Sequence, residues 1–119
     1  MQLTKREDQV MRVLWNCDKP LSASAIKKQM KEDVSIYTIQ QVLQRLLAQN
    51  YIKVERIVQQ DKALMREYTP LISQAEHLQK FINVKTTFDL ATHFINESDD
   101  LDSILQLEKL IEEKLKSLK

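Results

Sequence analysis

A mainly α-helical chain with one small β-hairpin is predicted by three observations. Glycine is absent and proline is confined to Pro20 and Pro70, so helical runs go unbroken and few positions suit left-handed turns. Apolar residues recur at three- and four-residue steps through most of the chain. The exception is a run over 52–59 that mixes β-branched residues with charges and a second over 64–69 that resumes a strand-like pattern, flanking the polar Gln60-Asp61-Lys62, which is hairpin patterning. At 119 residues and 43% hydrophobic, the chain can build one compact domain with an appendage, but not two independent cores. Without glycine, helix ends need another residue that tolerates the left-handed conformation, and Asn50 and Asn96 are expected to serve.

The elements follow in order. Thr4 and Glu7 have capping-box spacing, and Val10, Val13, Leu14 and Cys17 form a stripe behind them, giving a first helix from Lys5 to Asn16. Trp15, near its end, is expected to be a core or interface anchor. Lys19-Pro20-Leu21 stops that helix. Ser22 then caps a short second helix, Ala23 to Glu32, with Leu21 and Ile26 spaced as a hydrophobic staple. Its basic side carries Lys27, Lys28 and Lys31.

Asp33-Val34-Ser35 is a tight connection, and Ser35 caps a third helix that should end near Gln49. The hairpin comes next. Ser73 and Glu76 repeat the capping-box spacing and open a fourth helix with Leu78, Phe81 and Ile82 on one side. A further helical stretch holds Phe88, Ala91, Phe94 and Ile95. Ser98-Asp99-Asp100 is a strong helix start, its acids favoured by the helix dipole. The helix it opens carries Leu101, Ile104, Leu105, Leu107, Leu110, Ile111, Leu115 and Leu118, a stripe too wide for a solvated tail. A monomer would expose that patch, so Phe88, Phe94, Ile95, Leu101, Ile104, Leu105, Leu107, Ile111 and Leu115 are expected to bury one another in a homodimer.

The third helix is two-sided. Ile36, Ile39, Val42, Leu43, Leu46 and Leu47 share one face and must dock on a core. The other side carries Tyr37, Thr38, Gln40, Gln41, Gln44 and Arg45, all hydrogen-bond formers and only one charged, whereas an ordinary solvated face holds more Lys and Glu. A helix about 10–12 Å across fits a B-DNA major groove about 12 Å wide. Gln can pair adenine at N7 and N6, Thr can meet a thymine methyl, and Arg can pair guanine. Helix, turn, helix and hairpin together make a winged helix-turn-helix, with the hairpin as the wing.

Tyr37, Thr38, Gln40 and Gln41, with Gln44 behind them, are the expected base contacts. Phosphate contacts are expected from Lys27, Lys28, Arg45, Arg56, Lys62 and Arg66, and from Ser35, where the helix start presents free amides. Arg45 has a competing role, because its stem could cover the core while its head pairs with an acid. Charge agrees with this placement. Residues 1–72 hold twelve Lys/Arg against eight Asp/Glu, and residues 73–119 hold six against nine. The first segment is therefore the DNA-binding candidate and the second, acidic one the helical dimerisation arm.

The segment Ser35-Ile36-Tyr37-Thr38-Ile39 leading to Leu43-Gln44-Arg45-Leu46 resembles the penicillinase-repressor family, as do Arg66-Glu67-Tyr68-Thr69-Pro70-Leu71 and Val10-Met11-Arg12-Val13-Leu14-Trp15. The resemblance covers nearly the whole chain. It implies a cytoplasmic homodimer that represses transcription by binding a palindromic operator through an N-terminal winged helix, with Tyr37, Thr38 and Gln40 in the base-contacting stretch. Asn50 stands where the family commonly has Gly, and the wing is longer than in the β-lactamase repressors. The end, Lys114-Leu115-Lys116-Ser117-Leu118-Lys119, lacks the cysteine-rich motif of the copper-responsive members. His93-Phe94 stands where the β-lactamase repressors carry a cleavable Asn-Phe bond, which speaks against induction by the same protease.

Other chemistry is excluded or unsupported. Cys17 is the only cysteine, so one chain can form neither a disulfide nor a cysteine zinc site. His77 and His93 are far apart, and His93 with Asp89 makes at most two weak ligands. No nucleophile with its base and no glycine-rich phosphate loop is present, so neither an enzyme nor a cofactor is expected. The N-terminus lacks a signal peptide's apolar core, and no segment reaches the ~20 apolar residues of a membrane span. A cytoplasmic chain without membrane association is therefore expected. The sequence names no effector or sensor protein. The low basic content of the third helix also leaves open a winged-helix protein-interaction module without sequence-specific DNA binding.

Overall fold

The computed structural model describes residues 2–119, which divide into two compact units, 2–77 and 78–119. In the first, α1 (Lys5–Trp15), α2 (Ala23–Gln29) and α3 (Ile36–Ala48) pack with a three-stranded antiparallel sheet of β1 (Leu21–Ser22), β2 (Ile52–Gln60) and β3 (Ala63–Pro70). β3 is central, with Tyr68 between Leu21 of β1 and Val54 of β2. α4 (Gln74–Gln79) follows the sheet, and α5 (Val84–Glu97) and α6 (Leu101–Leu118) belong to the second unit. Among the described residues, no helix is long and apolar enough to cross a membrane.

Local chemistry accounts for most helix starts. Thr4 and Glu7 form the reciprocal capping box of α1, the Thr4 N–H donating to Glu7 Oε1 at 2.9 Å and the Glu7 N–H to Thr4 Oγ1 at 3.2 Å. Ser22, Ser35, Asn83 and Asp100 accept from first-turn amides of α2, α3, α5 and α6. Ser73 and Glu76 close a second capping box. The end of α3 is a Schellman motif: Asn50 takes φ 60°, its N–H reaches Leu47 O at 3.1 Å, and the Tyr51 N–H reaches Leu46 O at 3.0 Å. Tyr51 and Leu46 both lie in the core, which supplies the apolar contact such a cap requires.

The core joins Val10, Met11 and Leu14 of α1, Ile26 of α2, and Ile39, Val42, Leu43 and Leu46 of α3 to Leu21, Tyr51, Ile52 and Tyr68 around the sheet. Trp15 is half-buried against it and donates its indole N–H to Ile72 O at 2.8 Å. Its ring lies 5.3 Å from that of buried His77, whose Nδ1 is 3.1 Å from the Tyr51 hydroxyl. These rings fasten α4 to the winged-helix unit.

Several expectations need correction. Asn96 lies inside α5, not at a left-handed cap. That helix ends with Ser98 extended and its N–H on Phe94 O, so no positive φ is needed. Asp61 takes φ 54° instead, at the wing turn. α2 stops at Gln29, short of Glu32, because Met30 is extended. α4 ends at Gln79, so Phe81 and Ile82 lie in the turns beyond it. Ile36 is exposed rather than in the core, because it lines an open surface hollow beside Lys27, Lys28 and Met30 that no apolar side chain closes. Besides the expected hairpin, the sheet contains the two-residue β1.

Candidate nucleic-acid interface

α3 meets the core with one side and solvent with the other. Ile39, Val42, Leu43 and Leu46 are fully buried, while Tyr37 is 67% exposed and Gln40, Gln41 and Gln44 are also exposed. Thr38 is half-buried. Its amide and hydroxyl both engage the capping Ser35, the Ser35 hydroxyl donating to Thr38 Oγ1 at 2.9 Å. Ser35 is thus the N-cap itself, beside the free amides of the first turn.

A groove of about 450 Å³ runs between α3, the start of α2 and the wing. Gln40, Gln41 and Gln44 line it from α3, Ser22 from β1, Ala23 and Ser24 from α2, and Leu64, Met65, Arg66 and Tyr68 from β3. Three of the five expected base-contacting residues are thereby brought together with Arg66 from the expected phosphate set. The aliphatic Leu64 and Met65 were missed because only the folded hairpin brings β3 beside α3, and Ser24 because only the packing of α2 on α3 brings it to the groove. Leu64 is 74% exposed near the wing tip.

The expected phosphate contacts fall into two groups. Lys28, Lys62 and Arg66 are exposed and form no ion pair among the described residues. Lys27, Arg45 and Arg56 are engaged within the chain. The Lys27 ammonium donates to Val34 O at 2.6 Å and lies 3.4 Å from Asp33, holding the connection between α2 and α3. Arg56 pairs with Glu67 across the strands, where a bulge between Val54 and Arg56 shifts the register. Arg45 donates to Glu7 Oε2 at 3.3 Å.

Glu7 is buried, so one carboxylate both caps α1 and anchors α3. Burial pushes its carboxyl up, but the Thr4 hydrogen bonds and the Arg45 guanidinium together outweigh that and hold it below the ordinary glutamate value. Sequence spacing revealed the cap but not the pair with Arg45, 38 residues away.

In the second unit, Phe88, Phe94, Ile95, Leu101, Leu105, Ile111 and Leu115 are exposed, whereas Ile104 and Leu107 are half-buried. Ile104, Leu107 and Ile111 line an apolar hollow with Ile95 of α5. Among the described residues, no group of His, Cys, Asp and Glu is arranged to hold a metal ion.

Three packed helices, a short sheet with a protruding hairpin, and a helix whose polar side stays exposed define a winged helix-turn-helix of the DNA-binding class. The model of the penicillinase repressor family matches residues 3–113, and the chain belongs to that family of transcriptional repressors. A search of curated proteins gives no match. Among solved structures, the chain is similar to PerR from Streptococcus pyogenes, described in terms of peroxide sensing and gene regulation, at 14% identity and a TM-score of 0.48. That similarity covers 60% of this chain and 48% of PerR, so the chain spans less than half of its length.

Proposed function

We propose that the protein represses transcription as a homodimer on a palindromic operator, with α3 in the major groove. Residues 1–72 bind DNA in this reading, and residues 73–119 pair the two copies. The observation that carries it is the exposed polar set Tyr37, Gln40, Gln41 and Gln44 of α3 opposite the fully buried Ile39, Val42, Leu43 and Leu46. Tyr37, Gln40, Gln41 and Gln44 reach base edges, with Thr38 contributing its methyl. Lys28, Lys62, Arg66 and the amides beside Ser35 meet phosphates. Two copies would present their recognition helices to half-sites about 34 Å apart.

The test is binding of fragments selected from the source genome, titrated against salt, together with light scattering. Log K falling with log salt at about −0.9 per phosphate contact supports the reading, as does twice the chain mass at micromolar concentration. The protein-interaction reading draws on one observation: Arg45, the only cation on α3, is already held by Glu7. It predicts no selected fragment and little salt dependence.

A further inference from the structure

The connection from Met30 to Ser35 sets where α3 begins, and one side chain ties both its ends. Lys27 lies in the last turn of α2, where its carbonyl accepts the Met30 N–H at 3.2 Å as that helix stops. Its ammonium reaches across to Val34 O at 2.6 Å. That carbonyl lies one residue outside the ladder of α3, in which the Ile39 N–H donates to Ser35 O at 3.1 Å. The Val34 side chain is buried in the core, so the residue before the cap is held at both its side chain and its carbonyl. Ser35 accepts from the Thr38 N–H at 3.1 Å and donates to Thr38 Oγ1 at 2.9 Å, which carries the constraint into the first turn of α3. Asp33, 3.4 Å from the same ammonium, is fully exposed and adds little, whereas a short bond from a charged donor to a part-buried carbonyl is of the stronger kind. A cation beside the positive end of a helix gains nothing from the dipole, so the carbonyl accounts for the placement of Lys27.

We propose that Lys27 is a positioning residue for base reading: it fixes the start of α3, and with it Tyr37, Thr38 and Gln40, instead of neutralising a phosphate as its neighbour Lys28 does. This rests on the reading of α3 as a recognition helix and adds what sets its register on the bases. Only chains holding this geometry read the operator, so releasing the Val34 carbonyl lowers the apparent affinity by the fraction of chains that lose it. Phosphate contacts carry no sequence information, and binding to an arbitrary duplex therefore tolerates a displaced helix start.

The experiment titrates the full chain on a selected operator and on a scrambled duplex across a range of salt. Lys27→Met should lower the operator-to-scrambled affinity ratio by about tenfold and leave the salt slope at the wild-type value. Lys27→Arg, which keeps a charged donor, should restore most of the ratio, and Asp33→Ala should leave it unchanged. Lys28→Met should do the reverse, making the slope shallower by about 0.9 and weakening both duplexes alike. Hydrogen exchange gives a readout without DNA: in Lys27→Met the Thr38 and Ile39 amides should exchange at least about threefold faster while those of Leu43 and Leu46 keep their protection. A shallower slope with an unchanged ratio in Lys27→Met overturns the proposal and makes Lys27 a phosphate contact. Unchanged exchange at Thr38 and Ile39, or Lys27→Arg no better than Lys27→Met, also contradicts it. Faster exchange along the whole of α3, or unfolding at the assay temperature, would make Lys27 a general stabiliser and equally overturns it. Wild type that does not distinguish the two duplexes refutes base reading itself, and the role of Lys27 with it, a failure visible before any variant is made.

Discussion

Replacing Arg45 by Met keeps an unbranched aliphatic side chain and removes the guanidinium from Glu7. The Glu7 carboxylate is buried and receives two kinds of donor, the Thr4 N–H at 2.9 Å and the Arg45 Nε–H at 3.3 Å. Loss of a hydrogen bond to a charged group costs about 1.5–3 kcal/mol. Arg45 is half-exposed, and water screens its side of the pair, so we expect about 1–2 kcal/mol. For a unit of this size that lowers Tm by roughly 5–10 °C, measured by thermal unfolding.

The pair also has a pH signature. Glu7 is held below its ordinary value of 4.5, so its contribution is full above that value and fades as pH falls through the folded-state value. The gap between wild type and Arg45→Met should therefore be constant near neutral pH and shrink in acid. In a Glu7→Gln background, where the side-chain oxygen can still cap but the charge is gone, Arg45→Met should cost little more. Operator binding supplies the refutation. If Arg45 acts by holding Glu7, the salt slope stays at the wild-type value. A slope shallower by about 0.9 with unchanged Tm would show that Arg45 neutralises a phosphate instead.

Two further outcomes follow from the geometry. Asn50→Ala should lower stability by about 1 kcal/mol because φ is 60° there, while Asn50→Gly should be neutral or better; chemical denaturation of both variants compares them directly. Lys62→Ala and Arg66→Ala, on the wing, should each reduce the salt slope of DNA binding by about 0.9 and weaken all sequences alike.

What the sequence made legible was local. The caps at Thr4, Ser22, Ser35 and Ser73 and the helix start at Ser98-Asp99-Asp100 each depend on residues within a single turn, and all hold in the structure, where Asp100 is the N-cap of α6. The two-sided pattern of α3 likewise follows from helical spacing alone. Contacts between distant residues were not legible. β1 is two residues long and exists only because β3 passes beside it, its Leu21 pairing with Tyr68 and its Ser22 with Glu67. The Arg45–Glu7 pair and the ring cluster of Trp15, Tyr51 and His77 need the tertiary fold to bring them together. Ile36 shows the converse limit: its spacing fits the buried stripe, but it faces an open hollow beside α2 rather than the core.

The central claim is that the exposed side of α3 reads bases. Gln40→Ala and Gln41→Ala, titrated in parallel on a selected operator and on a scrambled duplex at one salt concentration, test it most directly. Each variant should lose about 1–3 kcal/mol on the operator and almost nothing on the scrambled sequence. An equal loss on both duplexes, or none on either, would contradict the claim.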